Sequence, residues 1–484
     1  MKVKMKIWTI FLILILSVGL SACNNKAVNK KEDEETYQID WYLVTSQVPV
    51  PSAQEAVEKV ANEYLKDKLN VTLKMHYLDW SAYYQKINVM IAGNEKFDIC
   101  FTHSNTFKIN AAKNAYLPLN DLIDKYAPKT KEMLGEEFLK GSQINGINYG
   151  LPANKDKGSH FGVLYRKDLA EKYNLIEQLN AVKDMNDIYP ILDIIKENEP
   201  DIYPLREADA YSVATLLDFD VIVFPGAFYP DAEDGKVVNY VETPEFMEAA
   251  KITRRNQLAG YNRKGDVNVN NNEDYFMAFA TLKPGKDKEV SASRKYEYVQ
   301  IDLTTPRMRS KDTIGSLMAI STTCKRPEKA MQFLELFNTD KYLNNLIVYG
   351  LEGVNYTKIN ENIVRPIPDS GYGNAGMQWI FGNTFINYLV EGEDPDKYKK
   401  IEEYNKKLKK SDALGFSFDS EPVKAELGAC QNIYDEYNGV ISRGLEDPEI
   451  VIPQYIEKLK RAGSDKIIAE MQRQYDEWVV KHGK

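Results

Sequence analysis

DWYLV (residues 40–44), VTLKMHY (residues 71–77) and FDICF (residues 97–101) are three short apolar runs, and their reading decides the fold. In the second run Val71, Leu73, Met75 and Tyr77 alternate with polar residues, the period of a half-buried strand. Between the first two runs, Val57, Val60, Ala61, Tyr64 and Leu65 recur at helical spacing. Ser52, with Glu55 three residues later, reads as a capping box that opens this helix. Asp79 reads as the cap of a second helix that runs to Ala92 and closes at Gly93. Strand, helix, strand, helix, strand predicts an α/β fold with a parallel sheet and right-handed crossovers. Such sheets take ligands beyond the carboxyl ends of their strands. Here those ends are Thr45, Ser46 and Gln47, and Thr102, His103, Ser104 and Asn105. The same residue types also serve ordinary turns, so position alone does not make them a site.

Upstream of this unit the chain changes character. Lys2, Lys4 and Lys6 precede an uncharged apolar run over residues 7–19, which suits a signal-peptide core and is short for a span of roughly 20 residues. Leu20, Ser21, Ala22 and Cys23 follow, and the tetrad resembles the bacterial lipobox. That resemblance implies removal of residues 1–22 and a diacylglyceryl group on Cys23, hence two acyl chains and a stable anchor. The alternative is an uncleaved membrane anchor with an incidental cysteine. Residues 24–36 lack aromatics and are dense in charge, as a disordered tether is.

Composition narrows the function classes. The net charge is -9, which argues against nucleic acid as a partner. With 484 residues the chain exceeds one ordinary core and predicts two domains. Cys100, Cys324 and Cys430 are far apart, without a CxxC pair, and read as small buried residues. His76, His103, His160 and His482 lack metal-ligand spacing, so no metal is expected. No phosphate loop and no nucleophile elbow occurs, so no cofactor and no catalytic residue are expected. Gly371-Tyr372-Gly373-Asn374-Ala375-Gly376 has the letters of a dinucleotide fingerprint but follows no strand, and reads as a loop. The acidic clusters Glu136-Glu137 and Asp231/Glu233/Asp234 read as solvated faces, with glycosidic acid–base work as the sharper alternative. Residues 268–274 are oxygen-rich without the EF-hand spacing.

Downstream, an ordered set of short motifs carries a resemblance. Residues 93–99 (GNEKFDI) precede Tyr116-Leu117-Pro118-Leu119 and Asp121-Leu122-Ile123. Residues 145–152 (NGINYGLP) and 164–169 (LYRKDL) follow, then Ile320-Ser321, Lys325 to Ala330, and residues 349–356 (YGLEGVNY). The order resembles family-1 extracellular solute-binding proteins, the maltose-binding-protein-like components of ABC importers. Trp379-Ile380-Phe381-Gly382-Asn383, Gly415-Phe416, Lys460 to Gly463 and Gln472-Arg473-Gln474 resemble a C-terminal domain found on a lipoprotein subgroup of that family. The resemblance implies a two-lobed periplasmic-binding-protein-like fold with hinge-crossing segments near residues 152–164, 313–320 and 350–356, and a helix-rich C-terminal part. Lobe 1 is expected over residues 37–155 and 313–350, and lobe 2 over 156–312 and 351–484. Glycines at 146, 150, 158, 162, 350 and 353 fit hinge dihedrals or fixed turns equally well.

The resemblance further implies an extracytoplasmic, membrane-anchored, non-enzymatic monomer that hands its ligand to ABC permease subunits. It points to carbohydrate, and 31 tyrosines suit sugar rings through an apolar face and a hydroxyl. The expected ligand is a sugar or oligosaccharide held between the lobes. The expected contacts are Thr45, Ser46, Gln47, Trp80, Tyr83, His103 and Asn105 from the first lobe and Asn154, Lys155 and Glu352 from the hinge region. Trp379 and Asn383 are expected from the second lobe, with Trp379 as the stacking residue. A surface lipoprotein that hydrolyses glycans and a peptide-binding or adhesive lipoprotein remain the alternatives.

Overall fold

The alternation of residues 71–77 produces the edge of the first sheet. A computed structural model describes residues 35–206, 218–230, 234–262, 274–374 and 376–482. In it β1 (Tyr37–Val44), β2 (Val71–Leu78) and β3 (Ile99–Thr102) form a parallel core in the order β2-β1-β3. Tyr37 lies opposite Val71, and Trp41 opposite Ile99. Leu317–Ile320 then runs antiparallel to β3, and Leu151–Pro152 completes the sheet beyond it. Val71, Leu73, Met75 and Tyr77 are all buried. The crossovers are α1 (Pro51–Leu69) and α2 (Trp80–Gly93). Asp79 caps α2 by accepting from the Ala82 amide at 3.0 Å, and Asn94 ends it in the left-handed region at φ 50°.

Two local expectations are corrected. α1 starts at Pro51 with Val50 as its N-cap and no side-chain cap, so Ser52 lies inside the helix. Proline has no amide to cap and its fixed φ suits the first helical position, which removes the need for a serine box. Gly158 and Gly162 are not in the positive-φ region. A Cβ on them would sit 2.2 Å from the Arg307 carbonyl oxygen and 2.0 Å from that of Ile301, so they serve close backbone approach. Gly350 and Gly353, at φ 87° and 78°, do occupy conformations that favour glycine.

α1 also protects the sheet edge. The Leu73 amide donates to Asn62 Oδ1 at 2.6 Å, and Asn62 Nδ2 donates to the Leu73 carbonyl at 3.0 Å. The Met75 amide donates to Glu58 Oε1 at 2.7 Å, and Gln54 Nε2 to the Met75 carbonyl at 2.6 Å. Side chains thus fill the backbone groups of β2 that an added strand would take.

The second lobe is built on a sheet ordered Tyr298–Asp302, His160–Arg166, Tyr275–Leu282, Tyr203–Leu205. Its core holds Val163, Tyr165, Leu192, Ile195 and Phe276. The C-terminal part packs the helices Lys424–Ser442, Pro448–Ala462 and Ser464–His482 around Phe416, Cys430, Tyr455 and Met471. Helix Pro244–Leu258 joins the two: Phe246, Ala249 and Ala250 enter the C-terminal core, and Ile252 packs on the second-lobe core.

Residues 351–484 were expected in the second lobe, but Tyr356, Val364, Tyr372, Met377, Ile380 and Phe381 lie in the first core. Phe381 and Trp41 meet edge to face at 6.3 Å, so the apolar side chains of this stretch complete the first sheet's cover. Cys100, Cys324 and Cys430 are free and buried. Among the described residues no helix is long and apolar enough to cross a membrane. Residues 1–22, Cys23, most of the tether, Asp231, Glu233 and residues 268–273 lie outside the described residues.

Candidate functional site

Five rings converge where β2 and β3 end. Trp80 is the first residue of α2, so the strand end itself delivers it. Tyr84 follows one helical turn later on the same face. Phe101 and His103 close β3 and its exit. Trp379 arrives from far along the chain, on the 3-10 turn Gln378–Ile380. The Trp80 and Trp379 rings are nearly parallel, 13° apart in plane and 6.1 Å between centroids. Phe101 meets both edge to face, at 6.1 Å and 5.9 Å. His103 lies 5.9 Å from Trp80, and its Nε2 hydrogen-bonds the Tyr84 hydroxyl. Trp80, Tyr84, His103 and Trp379 each keep part of their surface in solvent. Burial lowers the His103 pKa, which favours the neutral imidazole. The arrangement offers flat apolar surface rimmed by neutral hydrogen-bonding groups, which is suited to a ligand with C–H faces and peripheral hydroxyls.

The other expected contacts divide. Ser46 reaches the same loop as Trp379, its hydroxyl 3.2 Å from Met377 Sδ. Gln47 is exposed beside it. Thr45 is buried, and its hydroxyl donates to the Gln47 carbonyl at 3.0 Å, so it shapes the turn. Asn105 lies in the first turn of α3 (Ser104–Ala112), directly after His103. Asn154 and Asn383 come together: the Asn154 amide donates to the Gly382 carbonyl at 2.7 Å, and its Nδ2 to Asn383 Oδ1 at 3.0 Å. Asn383 is buried and gives its Nδ2 to the Asn338 carbonyl at 2.9 Å, so it fixes the crossing rather than facing a ligand.

Three expectations need correction. Tyr83 points into the core, with its hydroxyl donating to the Phe101 carbonyl. The helical step of about 100° per residue turns Tyr83 toward the sheet and leaves Tyr84 beside Trp80. Glu352 is exposed and paired with Lys358 at 2.7 Å. Trp379 packs against the first core, so the parallel indole pair belongs to the first lobe. Tyr84 and Phe101 were missed by the sequence reading. The i, i+4 spacing of Trp80 and Tyr84 was the available signal.

Lys155 is committed to a largely shielded chain of charges at the hinge. Its Nζ lies 3.2 Å from Asp156 Oδ2, and Asp156 Oδ1 lies 3.2 Å from Lys283 Nζ. Lys283 meets Glu289 at 3.2 Å, Glu289 meets Lys397 at 3.2 Å, and Lys397 meets Glu393 at 2.8 Å. Burial pushes the Glu289 carboxyl up, but Lys283, Lys286 and Lys397 outweigh it and hold the pKa far below the usual range. Burial likewise opposes the charge on Lys283, and Asp156 and Glu289 overcome it. The chain links the first crossing to the second lobe and to the segment after Trp379. Among the described residues no cluster of His, Cys, Asp and Glu is placed to hold a metal.

Residues 50–343 match the family model described as bacterial extracellular solute-binding protein. Residues 412–480 match a domain of unknown function, DUF3502. The chain is 30% identical over 482 residues to a carbohydrate ABC transporter substrate-binding protein of Streptococcus pneumoniae serotype 4 (strain ATCC BAA-334 / TIGR4), with 96% of each chain covered. It superposes with a TM-score of 0.83, at 30% identity, on the crystal structure of the N-glycan transport solute binding protein NgtS from Streptococcus pneumoniae, covering 93% of this chain and 100% of that one. Against the same protein in complex with Man5GlcNAc the TM-score is 0.76 at 29% identity, with 92% and 99% covered.

Proposed function

The chain belongs to the bacterial extracellular solute-binding protein family, and from that premise we propose that it captures an oligosaccharide for an ABC importer. The carrying observation is the parallel pair of partly exposed indoles, Trp80 and Trp379, with His103 and Tyr84 at their edge. Stacking needs a ligand with flat apolar faces, and the polar rim needs hydroxyls. The relatives support carbohydrate from a separate direction: one is described as a carbohydrate ABC transporter substrate-binding protein, and the N-glycan protein is shown with mannose-containing glycans. In this reading the protein binds and delivers its ligand unchanged, between a lobe spanning residues 36–153, 313–349 and 356–381 and a lobe carrying the C-terminal domain. A permease pair receives it.

The lipid anchor is part of the same proposal. Cys23 sits after a basic segment, an apolar core and Leu20-Ser21-Ala22. Mass spectrometry of the native N-terminus should find a diacylated Cys23 as the first residue; an unmodified Cys23 or a retained Met1 rejects the anchor. Capture is tested by a thermal-shift screen against mannose- and N-acetylglucosamine-containing oligosaccharides. A ligand at a hundred times its Kd adds about 2.7 kcal/mol of stability and raises the melting temperature accordingly. A screen in which peptides stabilise the protein and no saccharide does rejects the carbohydrate reading.

A further inference from the structure

Three motif fragments that the indole site does not use meet at one place. Asn145-Gly146, Gly415-Phe416 and Arg473-Gln474 are far apart in sequence, yet all line a single cavity of about 680 Å³. This lies within the 300–1,000 Å³ typical of small-molecule sites. One wall comes from the first lobe, through the tip of a tight turn in which the Ile144 and Ile147 amides and carbonyls exchange bonds at 2.9 and 3.1 Å. Asn145 and Gly146 occupy its left-handed positions, at φ 52° and 82°. The opposite wall comes from the C-terminal domain, where Trp478 and Phe416 present rings 5.9 Å apart.

The walls are held in place before any ligand arrives. Gln474 Nε2 donates to the Asp419 carbonyl at 2.9 Å and its Oε1 accepts from the Asp419 amide at 2.8 Å. Arg473 is clamped between Glu470 and Glu477 at 2.6 and 2.5 Å. Gly415, at φ 88°, holds a conformation that favours glycine beside Trp478, and a Cβ there would sit 3.7 Å from the ring. The charges around the cavity nearly balance, with Lys140, Arg473 and Lys481 against Asp419 and Glu477. Neither an anion nor a cation is strongly selected by such a rim. Aromatic surface beside fixed amide, guanidinium and carboxylate groups is complementary to a neutral polyhydroxylated ring.

We infer that this cavity, between the first lobe and the C-terminal domain, is a second saccharide site. It is distinct from the indole pair and takes one or two sugar units. Because its walls belong to separate cores, its occupant touches both sides of the joint.

The test uses the mature chain and the disaccharide mannosyl-N-acetylglucosamine, followed by calorimetry and saturation-transfer NMR. Trp80→Ala combined with Trp379→Ala removes both indole faces and disables the indole site. Glu477→Trp, at an exposed position of the last helix, plugs the cavity mouth. Lys481→Trp is a second plug from the same helix and guards against a folding defect, with melting temperatures checked for all. The expected result is residual disaccharide binding in the double-alanine variant that falls at least tenfold when either plug is added. The plugged protein with both indoles intact keeps its tighter site. No residual binding in the double-alanine variant, or residual binding that survives both plugs, overturns the inference. Loss of binding at the indole site in the plug variants does so too, since the two sites would then not be separate. Capture at the indole site is read independently, from the plug variants alone.

Discussion

Trp80, Tyr83 and Tyr84 lie within five positions and do different jobs. Tyr84 bonds His103 at the rim of the indole pair, while Tyr83 bonds the Phe101 carbonyl inside the core. Tyr84→Phe should therefore weaken oligosaccharide binding several-fold with little change in melting temperature. Tyr83→Phe removes a buried hydrogen bond and should cost about 1 kcal/mol of stability, with affinity per folded molecule intact. Calorimetry and chemical denaturation on the two variants separate the roles; equal effects contradict the assignment. His103 adds a pH dependence. Its pKa is lowered by burial, so the unfolded chain binds its proton more readily. Its contribution is present above about pH 6.5 and is lost as pH falls below that value. Wild type should lose more stability than His103→Asn between pH 7 and 5; parallel curves reject the prediction. At this scale the sequence showed Trp80, His103 and Trp379 by residue type and strand-end position. It did not show which neighbour on α2 faces them, because that depends on helix phase relative to a sheet not yet placed.

α1 illustrates what an element's pattern reveals and conceals. The apolar spacing of Val57, Ala61 and Leu65 was legible, and all three are buried. The polar face was not legible, since Gln54, Glu58 and Asn62 look like ordinary surface residues until β2 lies beside them. They bond the Leu73 and Met75 backbone groups that the sheet edge leaves open. Asn62→Ala frees both polar groups of Leu73 and should lower stability by about 1–3 kcal/mol in urea denaturation. No loss would mean that water replaces the amide without cost. The parallel pairing of β1, β2 and β3 was likewise predictable, because two helical crossovers require it. The return of residues 356–381 to the first core was not, since a crossing is set by long-range packing such as Phe381 on Trp41.

Across the molecule, the hinge is tied by charge as well as by chain. The run Lys155, Asp156, Lys283, Glu289, Lys397, Glu393 alternates in sign, and its members are mostly shielded from solvent. Removing one partner from such a chain leaves an uncompensated buried charge, so Lys283→Met should cost about 3 kcal/mol in chemical denaturation. Lys155 and Lys283 hold the Asp156 carboxyl below its usual range against the opposing effect of burial, and the Glu289 carboxyl is depressed as well. Their stabilisation is present above about pH 4.3 and is lost as pH falls below it. Closure of two lobes on a ligand requires higher affinity for the closed form. Small-angle scattering should show a smaller radius of gyration at saturating oligosaccharide, and an unchanged radius contradicts capture between lobes. Ligand capture depends on the indole pair, and calorimetric titration of Trp379→Ala with the oligosaccharide found for wild type measures that dependence. A base stacked on an aromatic loses about 1–3 kcal/mol on alanine substitution, and a comparable loss is expected here, with the melting temperature nearly unchanged. Unchanged affinity in a folded Trp379→Ala protein, or a loss of about 3–5 kcal/mol in stability with affinity per folded molecule intact, would make this tryptophan a core residue and contradict the account.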